Sequence, residues 1–387
     1  MNIPNPAYFD NAASTPVSRR AMNAVNVIMS DIFGNPSAGH LPGRLADEQL
    51  KKARKSVAEV LNVSDRDIIF TSGGTESNSL AIFGAVKRAG LRAVTFNGSH
   101  PSVISPFREL KIRGADILFL TPGQDGSVSP GDLTSAITEK TALISLSHVN
   151  HETGVLLDIE SLVRTVKLCK NDVLVHVDAV QGFGKLPIDA LKWNADLISI
   201  SAHKIHGLSG TGALYIRQGL TGAVKPLIYG GGQERGIRPG TENLAGIAAF
   251  GAAAEDAVLR MQTDYTHVLS LKERLLRIPS EIEHTFVNGA ADEKNSSPYI
   301  LNISFVGVKS EILMNALDAR GIYVSAGAAC NTGPKNKEPE NVVYAYGLGV
   351  PRAESAIRIS LSRFNTAEDV DRLVEALADI VPKLIKR

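Results

Sequence analysis

Residues 173–204 read VLVHVDAVQGFGKLPIDALKWNADLISISAHK, and this stretch decides the fold class. Two short, mainly apolar runs, 173–177 and 197–200, are separated by a segment long enough to contain a helix. Strands of this kind, repeated between helix-length segments, are typical of a parallel sheet covered by helices on both faces. Each run ends in polar residues, with Asp178 after the first and residues 201–204 after the second.

The same pattern continues on both sides of this stretch. Further short apolar runs lie at residues 68–70, 93–96, 117–120, 142–146 and 213–216. The run at 68–70 leads through a Gly-rich turn into a helix-like stretch, 76–88. The pattern therefore predicts an α/β fold with a mainly parallel seven-stranded sheet flanked by helices.

A second domain is indicated by the length and by a change of pattern near residue 255. A chain of 387 residues is too long for one ordinary core and suggests about two domains. An amphipathic helix at 255–279, strands at 300–305 and 357–361 and a closing helix at 366–386 are expected. We predict a large domain over 15–255 and a smaller α+β domain formed by 1–14 together with 256–387.

The composition is that of a globular protein with 44% hydrophobic and 21% charged residues. Its 41 basic and 40 acidic residues give a net charge of +1, so neither a nucleic acid nor a membrane surface is expected as partner. No apolar run approaches the roughly 20 residues of a membrane span, and residues 1–6 lack the basic and apolar pattern of a secretory signal, so none is expected. The two cysteines, Cys169 and Cys330, indicate a reducing cytoplasm rather than a disulfide framework.

Two strand ends carry the residues that point to chemistry. In an open parallel sheet, ligands bind beyond the carboxyl ends of the strands. Lys204 lies among Ser and His and before the Gly-rich loop 207–212, which favours a buried amine able to form a Schiff base over an exposed lysine. Asp178 ends an apolar strand and needs a partner, which the pyridine nitrogen of pyridoxal 5'-phosphate (PLP) would supply. A helix N-cap is the alternative for Asp178.

Three further features fit the same ligand. The turn at 70–77 joins a strand to a helix through Gly73 and Gly74, and backbone N–H groups at a helix N-terminus bind phosphate. His100 follows the 93–96 strand, where an imidazole is either structural or stacked on a pyridine ring. Gln181 is either an ordinary polar residue on the surface or a hydrogen-bond partner of the cofactor's phenolic oxygen. A shared ligand explains all of these strand ends together, and no metal ion is expected.

The ordered motifs resemble the fold-type I PLP enzymes of the class V aminotransferase family, and among them the NifS/IscS-type cysteine desulfurases. The resemblance covers nearly the whole chain. The matching motifs are FDNAASTP at 9–16, GNPS at 34–37, TSGGTES at 71–77, HVNHETG at 148–154, HVDAVQ at 176–181, SAHK at 201–204, GGGQERGIRPGT at 230–241 and SAGAAC at 325–330.

The resemblance implies a role for each matching residue. Lys204 is expected to form the Schiff base and His100 to stack on the ring and help in proton transfer. The other implied cofactor contacts are Asp178 at the pyridine nitrogen, Gln181 at the phenolic oxygen, His151 at the ring system, and Gly74, Thr75, Ser201 and His203 at the phosphate. Thr241 is expected to reach the phosphate of the partner subunit, which implies a homodimer. Arg358 is expected to grip the substrate carboxylate, with Asn35 near the substrate.

Cys330 is the residue that the resemblance assigns to sulfur. Small residues precede it and a polar stretch follows, so a mobile, exposed loop is predicted over about 326–341. Lys335 and Lys337 would favour its thiolate. L-cysteine would be converted to L-alanine, leaving a persulfide on Cys330 for a protein acceptor. Cys169, in a helix-like stretch at 162–170, is predicted to pack inside the protein.

His151 stands where the family usually has a second Asn, so this contact to the cofactor is expected to differ. The chain also ends at Arg387 without the extension that IscS-type enzymes use to dock a scaffold, so a dedicated or different acceptor is expected. Iron–sulfur assembly, tRNA thiolation, cofactor synthesis and DNA sulfur modification all remain open. The alternatives are a selenocysteine lyase or cysteine/cystine β-lyase and, more remotely, a non-catalytic partner-binding homologue.

Overall fold

The computed structural model describes residues 6–326 and 341–385. In chain order, the strands are β1 Ala7–Tyr8, β2 Ile68–Thr71, β3 Arg92–Phe96, β4 Asp116–Leu120, β5 Thr141–Ser147, β6 Leu174–Asp178, β7 Leu197–Ser201, β8 Gly212–Ile216, β9 Thr285–Val287, β10 Ile300–Phe305, β11 Ile322–Tyr323 and β12 Ala356–Ser360. The α-helices are α1 Arg19–Asp31, α2 Leu41–Val60, α3 Gly74–Ala85, α4 Pro101–Ile112, α5 Pro130–Ala136, α6 Ile159–Cys169, α7 Ala190–Trp193, α8 Leu244–Leu275, α9 Ile278–Glu281, α10 Ser310–Asp318, α11 Val342–Ala345, α12 Val350–Glu354 and α13 Ala367–Ile385.

The predicted large sheet is confirmed. It has seven strands in the order β2-β8-β7-β6-β5-β3-β4. The five strands β3 to β7 are paired in parallel, whereas β8 runs antiparallel to both β2 and β7. Each apolar run identified in the sequence overlaps one of these strands to within two residues at either end. The mainly parallel α/β fold therefore follows from the spacing of the apolar runs.

Alternate residues of the strands enter two separate cores, one on each face of the sheet. Ile68 and Phe70 pack in the core covered by α2 and the first half of α8, whereas Ile69 packs in the core covered by α3 and α4. This alternation is the two-residue period of a strand that is buried on both faces. Because helices cover both faces, ligands reach the sheet only at its ends.

A further core lies around the smaller sheet of β9, β10 and β12. These strands are antiparallel, with β10 in the centre. The N-terminal strand β1 pairs in parallel with β11, and Phe9 is buried in this same core. Thr15 N–H, in the segment that follows β1, donates to His203 O at 3.0 Å, so this segment runs beside the carboxyl end of β7. The domain boundaries proposed from the sequence stay a prediction.

The long helix α8 begins earlier than the sequence pattern predicted. It starts at Leu244, where the Asn243 side chain accepts a hydrogen bond from Gly246 N–H, and not at residue 255. Its first part consists mainly of small and apolar residues buried on several sides, so it lacks the polar face of an amphipathic helix. Phe250 packs in the large core and Leu271 in the smaller one, so a single helix joins both.

Within the part of the chain that the structure describes, no helix is both long enough and apolar enough to cross a membrane.

Candidate active site

A cavity of about 430 Å³ opens where several strands of the large sheet end. Parallel strands place their carboxyl ends at the same edge, which is where the sequence placed the polar residues. Ten of the predicted site residues line this cavity: Gly74, Thr75, His100, His151, Asp178, Gln181, Ser201, His203, Lys204 and Arg358. The structure thus brings together residues that are up to 284 positions apart in sequence, from Gly74 to Arg358.

Lys204 ends the short 3-10 turn that follows β7. Its Nζ donates hydrogen bonds to the carbonyl oxygens of Ala12, at 2.5 Å, and Ala13, at 2.7 Å. Burial of the amine, assisted by the positive charge of Arg358, lowers the Lys204 pKa from 10.5 to about 8. A larger share of this amine is therefore neutral, and able to act as a nucleophile or base, than in an exposed lysine.

Asp178 is the last residue of β6, and its carboxylate is buried. Its Oδ2 accepts a hydrogen bond from Asn78 Nδ2 at 2.9 Å, and its Oδ1 accepts one from Val180 N–H at 3.1 Å. Both donors are neutral, and none of the ion pairs within the described residues includes Asp178. A buried carboxylate that lines a cavity and has no cationic partner is suited to bind a positively charged, protonated nitrogen of a ligand.

The rings of His100 and His151 meet edge to face inside the cavity, with centroids 4.8 Å apart and planes at 81°. Nδ1 of His100 accepts a hydrogen bond from Ser102 N–H at 3.1 Å and lies 2.7 Å from the Ser102 hydroxyl. Burial lowers the pKa of both histidines, and the nearby Lys204 and Arg358 add to this effect. Both rings are therefore neutral near pH 7 and can face an aromatic ligand without charge repulsion.

Arg358 projects from β12 and is held on two sides by carboxylates. Its Nη1 donates to His151 O at 3.0 Å and to Glu152 Oε1 at 2.9 Å, and its Nη2 donates to Asp10 Oδ1 at 2.9 Å. Burial raises the pKa of Glu152, although the Arg358 charge opposes this rise. A guanidinium has five N–H donors, and these contacts use three of them. Nε, which is buried and without a partner among the described residues, and one hydrogen of Nη2 make no contact.

The start of α3 faces the same cavity. A Cβ atom on Gly74 would lie 2.8 Å from Val180 Cγ2, so a larger residue here would force the Val180 side chain to move. Ser201 and His203 line the cavity from the end of β7. Burial, together with the charges of Lys204 and Lys185, lowers the His203 pKa to about 4. The free N–H groups of a helix N-terminus beside hydroxyl and imidazole groups are suited to an anion such as phosphate.

Gln181 connects the cavity with a buried lysine that the sequence did not indicate. Its Nε2 donates to Ala12 O at 2.9 Å, and its Oε1 accepts from Lys185 Nζ at 3.5 Å. Burial, together with the charges of Lys204 and Arg358, lowers the Lys185 pKa from 10.5 to about 7. Because a lysine only donates and a carbonyl only accepts, these two contacts fix which way the amide of Gln181 points.

Among the described residues, two of the predicted site residues do not line this cavity. Asn35 and Thr241 are exposed on the surface and are not among the residues that line it. Cys330 lies outside the described residues. The prediction that Cys169 packs inside the protein is wrong, because its side chain is exposed. It is the last residue of α6, one turn beyond Val166, where the buried stripe of that helix ends.

Sequence reasoning missed four side chains that support the site. Asp10 and Glu152 hold Arg358, Lys185 holds Gln181, and Asn78 holds Asp178. Asn78 also donates to the Ser102 hydroxyl at 2.8 Å, which links Asp178 to the His100 contacts. The available signal was its position, because it lies one helical turn after Gly74 and therefore on the same side of α3.

Comparisons with known proteins agree with this geometry. The chain matches the family described as Aminotransferase class-V over residues 7–373. It is 38% identical to Cysteine desulfurase IscS of Methanosarcina thermophila, over 97% of this chain and 92% of that protein. A solved NifS-like protein superposes with a TM-score of 0.90 at 34% identity, covering 98% of this chain and all of the other. SspA, solved in complex with cysteine, superposes with a TM-score of 0.81 at 34% identity, covering 93% of this chain and 100% of that one. The chain therefore belongs to the class V aminotransferase family, in its group of NifS- and IscS-type cysteine desulfurases.

Proposed function

We propose that this chain is a PLP-dependent cysteine desulfurase that converts L-cysteine to L-alanine and keeps the sulfur as a persulfide on Cys330. The observation that carries the proposal is the position of two groups at one cavity. Asp178 ends β6, Lys204 follows the neighbouring parallel strand β7, and both residues line the cavity. Membership of the cysteine desulfurase group supports the same activity.

The residues of the cavity fit PLP. Its volume of about 430 Å³ lies in the range of small-molecule sites. Asp178, which has only neutral hydrogen-bond donors among the described residues, would pair with the protonated pyridine nitrogen. The phosphate would bind at the start of α3, against Gly74, Thr75, Ser201 and His203. Lys204 would bond to the aldehyde, because its amine faces the cavity and has a low pKa.

When bound, PLP supplies a ring that withdraws electrons from the substrate Cα. Lys204, as a free amine, would move the proton at that carbon, and a pKa near 8 suits a general base that works close to neutral pH. The carbonyl oxygens of Ala12 and Ala13 would orient this amine. His100 would lie against one face of the ring, and Gln181 and His151 would be near the phenolic oxygen.

Arg358, which lines the cavity, would bind the carboxylate of L-cysteine. Asp10 and Glu152 already hold the guanidinium, so little side-chain entropy would be lost when the substrate binds. Asn35 is proposed to complete the substrate site.

Cys330 would receive the sulfur as a thiolate. Its Sγ would form a bond to the substrate sulfur while the carbon–sulfur bond breaks. The electron pair of the broken bond would stay with carbon, which takes up a proton to give L-alanine. No external oxidant or reductant is needed, and the sulfur could then pass to a protein acceptor. This chemistry needs a free thiol, which supports a cytoplasmic location.

A homodimer is part of the proposal. Thr241 is exposed and does not face the cavity of its own chain, which leaves it available to a partner subunit's site. Large apolar side chains are also exposed, among them Phe33 at 80% and Tyr229 at 81%. Extensive apolar exposure is typical of surfaces that another chain covers. Sedimentation of the purified protein is expected to give twice the chain mass.

The activity is tested by adding L-cysteine to the PLP-loaded protein and identifying the products. Equal amounts of alanine and protein persulfide are expected in a single turnover. Pyruvate and ammonia would instead indicate a β-lyase and overturn the assignment. Cys330→Ser should keep the absorbance of bound PLP and form no persulfide, whereas Cys169→Ser, at an exposed cysteine, is the matched control and should behave as the unchanged protein.

A further inference from the structure

The edge strand β2 is covered by side chains rather than by another strand. It is the first strand of the large sheet, so one side of its backbone has no strand beside it. Phe70 N–H donates to Glu234 Oε2 at 2.7 Å, and Ser72 N–H, just after the strand, donates to Glu76 Oε2 at 2.7 Å. The Ile68 carbonyl accepts from Arg54 Nη1 at 2.9 Å. These contacts provide hydrogen-bond partners for exposed backbone groups of β2 and of the turn that follows it before α3.

The segment that supplies Glu234 is strained and firmly held. Glu234, Arg235 and Gly236 have φ values of 45°, 58° and 73°, and two of these residues carry side chains that disfavour the left-handed region. Glu234 is held by a buried two-point contact with Arg54, at 2.5 and 2.7 Å. Such a conformation persists only where surrounding contacts impose it. Arg238, two residues after Gly236, is thereby brought to the first turn of α3.

Arg238 forms an ion pair with Glu76 in that first turn. Its Nε donates to Glu76 Oε1 at 2.9 Å, and both side chains are mostly buried. Burial opposes ionisation of Glu76, but hydrogen bonds from Arg238 and Ser72 outweigh it and lower the Glu76 pKa. Glu76 is therefore charged near neutral pH. It directly follows Gly74 and Thr75, which line the cavity, whereas neither Glu76 nor Arg238 lines it.

This position creates an electrostatic conflict. A carboxylate in the first turn is favourable for the helix itself, because the N-terminus carries a partial positive charge. The same carboxylate repels a phosphate bound to the N–H groups of that turn. Two features of the structure reduce the repulsion, since Arg238 neutralises Glu76 and the Ser72 N–H holds it on a side that does not line the cavity.

We infer that Arg238 is a positioning residue for the cofactor phosphate, which acts by neutralising Glu76 and holding it away from the phosphate site at Gly74 and Thr75. The inference rests on the proposed PLP site. It assigns to Arg238 an effect on the phosphate alone, not on the ring or the aldehyde. Loss of Arg238 leaves an unpaired carboxylate beside the phosphate and weakens PLP binding. Removal of that carboxylate restores the affinity.

The test measures the affinity of the cofactor-free full chain for PLP and for pyridoxal, which lacks the phosphate. Arg238→Gln is expected to weaken PLP binding about tenfold and to leave pyridoxal binding unchanged. The double variant Arg238→Gln/Glu76→Gln is expected to recover most of the PLP affinity. The matched control is Arg92→Gln, because Arg92 also donates through Nε to a carboxylate, at 2.7 Å, and is equally exposed.

Three results would overturn the inference: unchanged PLP affinity in Arg238→Gln, equal weakening for PLP and pyridoxal, or no recovery in the double variant. Thermal unfolding of the cofactor-free variants reports on folding. If Arg238→Gln does not fold, Arg238→Lys retains the positive charge and should bind PLP within about threefold of the unchanged protein. A selective loss of PLP affinity in Arg238→Lys would also count against it. An unchanged protein that binds no PLP would instead refute the proposed function.

Discussion

The low pKa of Lys204 can be tested without any catalytic assay. With a pKa of about 8, roughly one Lys204 amine in ten is neutral at pH 7. At the ordinary value of 10.5 the neutral fraction would be about three in ten thousand. The structure therefore predicts about 300-fold more neutral amine at pH 7 than the unfolded chain offers.

The assay is competitive acetylation of the cofactor-free protein between pH 6 and 11, with mass spectrometry of the peptide that contains Lys204. Its labelling should rise with a midpoint near pH 8, whereas the same lysine in urea-unfolded protein should give a midpoint near 10.5. Arg358→Met should raise the folded midpoint, because one of the charges that disfavour the ammonium is removed. It should not restore the ordinary value, because burial is the larger cause.

A folded midpoint that coincides with the unfolded one would refute the reasoning. It would mean that water reaches the amine freely, or that a nearby carboxylate compensates for its burial. Asp10 and Asp178 both act in that direction but are weaker than burial and Arg358. The experiment therefore also tests whether the cavity excludes water around Lys204.

Three further predictions follow from individual side chains. Asp178→Asn should lower the rate of alanine formation about a hundredfold, because a neutral amide cannot stabilise a protonated pyridine; a rate within tenfold of the unchanged protein would contradict this. Lys185→Met should raise the free energy of unfolding of the cofactor-free protein. Between pH 7 and 10.5 the lysine of the unfolded chain holds its proton more often than the lysine of the folded chain does. The gain in unfolding free energy, measured by denaturant titration, should therefore be largest below pH 7 and shrink toward pH 10.5. A gain that grows with pH would contradict this reasoning. Cys169→Ser should change the unfolding free energy by less than about 0.5 kcal/mol, whereas a large loss in urea titrations would be inconsistent with an exposed thiol.

The large sheet could be predicted because its strands are buried on both faces. Each strand then appears in the sequence as a short apolar run, and the run at 68–70 supplies both cores with alternate residues. The start of α8 could not be predicted in this way. Its first residues are small or apolar and are buried on several sides, so no periodic polar face marks the helix.

The candidate site likewise contains residues that could be predicted from the sequence and residues that could not. Lys204 and Asp178 were recognisable because polar residues at the carboxyl ends of parallel strands converge on one edge of the sheet. Asp10 and Glu152 were not, because their importance depends on Arg358, which is 348 positions from Asp10 in sequence. The exposed position of Cys169 also depended on where the helix ends relative to the core.

The sequence by itself determined the order and spacing of buried strands, and hence which residues follow each strand end. That information is local, because burial of a strand is encoded in consecutive side chains. The tertiary structure alone decided which charges face one another: two carboxylates around Arg358, Arg238 against Glu76, and main-chain carbonyls around Lys204. These contacts join distant parts of the chain. The energy of each charge–charge interaction and the pKa of each group depend on burial and on neighbouring charges, which only the folded packing establishes.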